Sequence, residues 1–278
     1  MAKKPTIKLD PDDGLIVDEV GPWVSEKHDR LKKYIDAYRS VRALYLPPKG
    51  TGGAGYIELF SGPGRSQIKE TGEFIDGSPL VACRAAQRSR TLFSEIHLND
   101  IDPQKSSALQ QRITAFAAHA HIYTKPAEVV VDEIVGALKP RGLHFAFLDP
   151  YKLEVLPFAI IRKLATVRKM DMLIHVSVFD LQRNLRRYVA DGKVLDSFMP
   201  GWRGSVDINR PDHGLRTELL DYWLGEIRKL GTSPAEGIEL VSGPRGQRLY
   251  WLVFVSAHSL GRKLWVDIRN VNVQARML

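Results

Sequence analysis

The chain has one cysteine, Cys83, in 278 residues. That scarcity excludes an internal disulfide and any metal or iron–sulfur site built from several thiolates of this chain alone. Cys83 sits in the apolar stretch Leu80-Val81-Ala82-Cys83, where a packing role is expected rather than a reactive thiol. The eight histidines lack close ligand spacing and no HExxH pattern occurs, so no metal is expected. No run approaches the roughly 18 apolar residues of a membrane span. Met1-Ala2-Lys3-Lys4-Pro5 lacks the apolar stretch of a secretory signal, so the expectation is no membrane and a cytoplasmic location. Internal repeats and low-complexity blocks are missing too.

What is present is an ordinary globular composition, 44% hydrophobic and 26% charged, sufficient for one sizeable core. At roughly 100 to 200 residues per domain, one elaborated domain is favoured over two small ones. Forty Lys and Arg against 32 Asp and Glu give a formal charge of +8 and a pI near 9.5. The excess suits a nucleic-acid partner, because phosphate contacts dominate such affinity, and it equally suits a merely basic surface. Charge alone does not choose.

Trp23 to Leu46 carries apolar and aromatic residues at helical spacing, which predicts one long amphipathic helix ending at Pro47-Pro48. With the polar stretch before it and the Gly-rich connector Lys49 to Gly55, it makes residues 1–55 an N-terminal arm, helix and connector. Residues 56–278 form the main domain with a C-terminal helical extension. Strands are expected near Tyr56 to Phe60, Leu92 to Asn99, His121 to Tyr123, Leu143 to Leu148 and Met172 to Val178. Helices are expected at Gly77 to Arg88, Pro103 to Ala118, Pro126 to Leu138, Leu156 to Val167 and His213 to Leu230. Gly237 to Val241 and Arg248 to Ser256, joined by the turn Ser242 to Gly246, read as a hairpin. The fold class expected is α/β: a Rossmann-like class I methyltransferase fold, with a mostly parallel seven-stranded sheet, an antiparallel last strand and an added N-terminal helix. The antiparallel ending separates it from dinucleotide-binding domains.

In Tyr56-Ile57-Glu58-Leu59-Phe60-Ser61-Gly62-Pro63-Gly64 an apolar strand runs into a Gly-rich turn. Ligands of open α/β sheets bind at the carboxyl ends of strands, and glycine there lets backbone approach the ligand without a Cβ clash. Pro63 separates this turn from GxGxxG and GxxxxGK[ST], favouring S-adenosylmethionine (SAM) over nucleotide phosphates. Phe60, Ser61, Gly62, Pro63 and Gly64 are the candidate loop, and Glu58 is placed to favour the sulfonium or amino group, directly or through the loop amides. Asp100, closing the second strand, is the candidate acceptor for ribose hydroxyls. Ile101 would pack on adenine, and Asp102 would cap the helix at Pro103. Thr124 to Ala127 lacks an acid or amide for the base, leaving backbone groups to recognise it.

Asp149-Pro150-Tyr151 follows the fourth strand, where an acceptor meets the methyl donor. An exocyclic amine on a base is a poor nucleophile because its lone pair is delocalised. Asp149 and the Pro150 carbonyl would accept its hydrogens, and Tyr151 would stack the base, worth roughly 1 to 3 kcal/mol. The element has one residue fewer than [DNS]PP[YF], and a plain Asp-Pro turn is the bland alternative.

Taken together, several of these stretches are similar to the three-Cys-motif partner (TcmP) family. The matching residues are Gly21-Pro22-Trp23 with Lys27, Leu31 and Tyr34; Tyr56 to Gly64; Gly77-Ser78-Pro79-Leu80; Asn99 to Asp102; and Phe147 to Tyr151. They continue at Leu249 to Phe254, His258-Ser259-Leu260-Gly261, Lys263, Leu264 and Trp265. The family usually reads HPLG where His258 begins HSLG, and has glycine where Lys152 stands. The resemblance implies a methyltransferase-like fold and a partner protein carrying a three-cysteine motif, of the iron–sulfur radical type. His258 reads as a substrate-side residue or a helix cap.

Beyond the fifth strand, Arg183, Arg186 and Arg187 would track phosphates, or else form a solvated helix face or local ion pairs. Trp202, in Phe198 to Gly204, would be a base-stacking lid residue or a core anchor. The leading expectation is a SAM-dependent methyltransferase acting on an amino group of a nucleic-acid base or nucleotide. The rivals are a non-catalytic SAM- or nucleotide-binding partner of a three-cysteine-motif enzyme, and another nucleic-acid-processing Rossmann enzyme.

Overall fold

A computed structural model of the chain describes residues 8–117, 119–243 and 245–276. The Met1 to Pro5 start, Ala118 at the end of an expected helix, and Pro244 in the expected turn lie outside the described residues.

β1 (Lys8–Leu9) and β2 (Ile16–Val20) lead into α1 (Val24–Ala37) and a short α2 (Arg39–Ala43). β3 (Ala54–Glu58) is followed by β4 (Arg65–Ile68) and β5 (Phe74–Asp76) before α3 (Ser78–Arg88). Then come β6 (Glu95–Asn99), α4 (Pro103–Ile113), β7 (Ala120–Tyr123), α5 (Ala127–Ala137), β8 (Leu143–Leu148), α6 (Phe158–Ala165) and β9 (Met170–Ser177). α7 (Val178–Asp191), α8 (Lys193–Phe198) and α9 (Asp212–Lys229) precede β10 (Ser233–Pro234), β11 (Glu239–Ser242), β12 (Arg248–Ser256) and α10 (Ser259–Arg276).

The main sheet runs β10-β12-β9-β8-β3-β6-β7, with β11 also on β12. Pairing is parallel from β7 to β9, and β12 is antiparallel to β9. β10 and β11 pair with opposite ends of β12, so the sheet has eight strands where seven were expected, the sixth position being divided in two. The order reverses at β3, which lies between β6 and β8, and a crevice opens there at the carboxyl edge.

Period-two alternation assigns the strand side chains to two cores. On one face Ile57, Ala146, Leu148, Met172 and Ile174 pack with residues of α5, α6, α7, α8 and α9. On the other Tyr56, Phe145, Phe147, Leu173 and Phe254 meet Leu31, Tyr34 and Ile35 of α1, residues of α3, and Trp265 of α10. Trp265 stacks on Phe254 at 5.3 Å between ring centroids.

Two features depart from the sequence expectation. The expected single helix breaks at Tyr38 into α1 and α2. The polar arm and the stretch after Gly64, neither assigned a strand, instead build a second sheet, β1-β2-β4-β5. Strands of two to five residues leave too short a pattern to register as periodicity. The hairpin β4–β5 stands between the Gly-rich turn and α3, yet the Gly77 N–H donates to the Gly64 carbonyl at 2.7 Å and returns the chain to the turn. A Cβ on Gly77 would lie 2.9 Å from Gly64 backbone, so glycine is required at this closure.

Candidate active site

Five parallel strands deliver their carboxyl ends to one edge, and the segments following them wall a cleft of about 1080 Å³. Phe60, Ser61, Gly62, Pro63 and Gly64 follow β3, and Asp100 and Ile101 follow β6. Lys125 to Glu128 follow β7, Asp149, Pro150 and Tyr151 follow β8, and Ser177 and Phe179 lie at the end of β9. The loop and strand-end residues expected from sequence thus share one cavity, with Glu58 the exception.

The turn after β3 is held from below. Ser61 donates from both N–H and hydroxyl to the Asn99 carbonyl at 2.9 Å. The Asn99 amide donates to the carbonyls of Leu59 and Lys125 at 3.1 and 3.0 Å, and its oxygen accepts from the Lys125 N–H at 3.1 Å. One buried side chain therefore ties three strand ends together, a role its sequence position alone did not announce. Arg112 of α4 donates to the Pro63 carbonyl at 2.7 Å, to the Ile16 carbonyl at 2.8 Å and to both Asp13 oxygens. It clamps the turn to the N-terminal sheet. Gly62 and Gly64 have φ of +61° and +86°, the left-handed region where a side chain is strained. A Cβ on Gly62 would also lie 2.9 Å from Asp18 Oδ2.

Asp100 is half-buried. Its carboxylate accepts from the Gly62 and Asp102 N–H groups, each at 2.9 Å. Burial raises its pKa, and those amides with the Lys105 charge offset only part of the rise. Asp102 caps α4 through the Gln104 N–H at 2.8 Å. Ile101 is 68% exposed at the cleft. Glu58 is 1% exposed and lies outside the cleft lining: it is bonded to the Tyr56 hydroxyl and accepts from Ser78 Oγ at 2.8 Å. Burial pushes its carboxyl up to about 8 against the pull of those two hydroxyls, which favours the neutral form.

On the acceptor side Asp149 forms an ion pair with Lys27 of α1, and its other oxygen lies 3.5 Å from His175 Nδ1. Burial alone would raise Asp149, but the Lys27 charge, His175 once acid protonates it, and the Lys27 hydrogen bond outweigh it and hold the carboxyl below its ordinary value. The Pro150 carbonyl lies 3.1 Å from His175 Nδ1, so it is already engaged by β9 rather than presented alone. Burial pushes His175 and His28 down to about 4, leaving both neutral at pH 7. A neutral His175 bonded to a carbonyl through Nδ1 carries its proton there. Tyr151 is 75% exposed at the mouth, and Trp23, Phe179 and Tyr250 add aromatic wall.

Of the three arginines on α7, Arg186 is a local ion-pair partner. Arg186 is engaged by Asp212 at 2.7 Å and by the carbonyls of Ile208 and Arg210 at 3.0 Å, so it braces the start of α9. Trp202 is fully buried, with Nε1 donating to Asp196 at 2.7 Å, and is a core anchor rather than a lid. Arg183 and Arg187 remain exposed on α7. His258 lies beyond the carboxyl end of β12, which pairs with the amino end of β9, and so stands at the edge opposite the cleft. Its N–H accepts no substrate-side role there; it donates to Ser256 Oγ at 3.0 Å ahead of α10.

This strand order, with a parallel core, a reversal at β3 and an antiparallel strand inserted beside β9, is the Rossmann-like class I methyltransferase fold. Among solved structures, the chain is similar to protein LPL1258 from Legionella pneumophila str. Philadelphia 1, with a TM-score of 0.54, 12% identity, and 88% of this chain and 91% of that one covered. It is also similar to cofactor-bound Rv0187 from MTB (TM-score 0.50, 11% identity, 84% and 80% covered). A third is the O-methyltransferase from Bacillus cereus in complex with SAH (0.48, 10%, 85% and 82%). No family model matches the chain, and no curated protein matches it in sequence.

Proposed function

We propose that the chain is a SAM-dependent methyltransferase acting on an amino group of a nucleic-acid base or nucleotide. The observation that carries this reading is the single cleft shared by the Gly62–Gly64 turn, Asp100 and Asp149-Pro150-Tyr151. The residues fit the cofactor: the turn leaves a cradle that a Cβ on Gly62 would fill, and Asp100 stands where ribose hydroxyls need an acceptor. SAM, when bound, supplies an electrophilic methyl group on a sulfonium.

Asp149 is kept ionised and accepts a hydrogen of the incoming amine, localising its lone pair. His175 fixes the Asp149-Pro150 turn through the Pro150 carbonyl, a positioning role. Tyr151 offers a face for stacking. As the nitrogen gains the methyl it loses one proton, which Asp149, already hydrogen-bonded to the amine, accepts. Exposed Arg183 and Arg187 favour a phosphate-bearing acceptor.

A second reading, a non-catalytic SAM- or nucleotide-binding partner of a three-cysteine-motif enzyme, is favoured by the closure of Lys27 on Asp149 and by exposed His258, Ser259 and Leu260 at the start of α10, remote from the cleft. Calorimetric titration with SAM and SAH tests the common premise, with binding of both expected; no binding by either refutes both readings. Transfer of labelled methyl to bulk DNA and RNA, lost in Asp149→Ala, supports the first reading. Binding without transfer supports the second.

A further inference from the structure

The helix α1 brings one more charged side chain, Lys27, to the wall beside Asp149. Lys27 is 8% exposed, lines the cleft, and sits 5.8 Å from the centre of the Tyr250 ring. An ammonium has three donors, and Asp149 takes one of them. The wall therefore presents an acceptor and a donor side by side, Asp149 and Lys27, in a cleft that Trp23, Tyr151 and Tyr250 also line.

We propose that Lys27 and Asp149 together read the edge of a planar ring that carries an amino group beside a ring nitrogen acceptor, the amidine edge of adenine and cytosine. The amino group donates to Asp149 while the neighbouring ring nitrogen accepts from Lys27, so the ligand bridges the pair without separating the charges. Guanine pairs its amine with an acceptor only at N3, where the neighbouring ribose crowds the wall, and its other ring neighbour is an N–H donor that would face the ammonium. Uracil has no amine to offer. Enzymes that act on a base read it through such edge hydrogen bonds once it is out of the stack. Burial sharpens the discrimination, since a mismatched ring leaves a polar group unpaired in a closed wall.

This inference rests on the methyltransferase reading, and its test separates the two. The protein is first saturated with SAH, so that adenosine cannot report on the cofactor's own subsite. Binding of adenosine, cytidine, guanosine and uridine is then followed by saturation-transfer NMR and calorimetry. The expected result is that adenosine or cytidine binds about ten-fold or more tightly than guanosine or uridine, in line with the discrimination a paired edge contact supplies. Lys27→Met should abolish the preference, and Lys27→Gln, which keeps a neutral donor, should retain part of it. SAH affinity shows whether each variant is folded. Equal binding of all four nucleosides, or a preference for guanosine, in the SAH-loaded native protein overturns the inference and leaves the cofactor reading intact. A preference that survives in a folded Lys27→Met also overturns it. Failure to bind SAH removes both.

Discussion

Glu58→Gln gives a direct measure of how the site is built. The carboxyl is 1% exposed and is pushed from its ordinary 4.5 up to about 8, chiefly by burial, against the hydrogen bonds from Tyr56 and Ser78. An unfolded chain releases this proton near pH 4.5, whereas the folded chain keeps it until about pH 8. The folded state therefore binds more protons between those values, and stability falls as pH rises through that window. Each pH unit of separation is worth about 1.4 kcal/mol, so the loss is on the order of 4–5 kcal/mol. Full burial leaves little solvent screening to discount. Glutamine keeps the shape and carries no proton to lose. Urea unfolding from pH 4.5 to 8.5 should show the native protein losing stability relative to Glu58→Gln, with the variant the more stable by several kcal/mol at pH 8.5. Parallel stability curves across that range would mean that Glu58 is ionised in the fold, and the reasoning would be wrong.

Two further outcomes follow from buried partners. Arg112→Met should lower stability by about 1–3 kcal/mol, the usual cost of leaving a buried acceptor such as the Pro63 carbonyl without its donor. It should also weaken SAH binding, because the Pro63 carbonyl and the N-terminal sheet lose their common clamp; unchanged SAH affinity would show that the clamp is irrelevant to the turn. Trp202→Ala should cost about 3–5 kcal/mol in urea unfolding while leaving SAH affinity of the folded protein unaltered, and a selective loss of ligand binding would restore the lid role.

The parallel core was legible because each β3, β6, β8 and β9 segment is a short apolar run set off by helical stretches and turn residues. The Gly-rich turn and the acids at the strand ends were legible because open α/β sheets place ligands there. That Glu58 lies beneath the cleft lining was not legible, since its strand position says nothing about which way a carboxylate turns once Tyr56 and Ser78 surround it. Lys27 looked like one charge among many on an amphipathic helix, and only the packing of α1 over the sheet directs it into the cleft. It did stand among the residues that carried the family resemblance, which was the available signal. Trp202 had two readings in sequence, and the partner that decides between them, Asp196, becomes visible only when α8 folds back.

The acceptor wall joins the two extremities of the described chain. Arg30 of α1 grips Glu239 of β11 across 209 residues at 2.9 Å, and the Tyr250 hydroxyl donates to the Trp23 carbonyl across 227 residues at 3.2 Å. During synthesis at roughly 5–20 residues per second, Trp23 and Lys27 wait on the order of tens of seconds for β11 and β12 to leave the ribosome. The segments around the Gly-rich turn, from β3 to β9, are all available earlier. A nascent chain can therefore assemble the Gly-rich turn and its neighbouring strand ends while Tyr250, which closes the other wall of the cleft, is still to come.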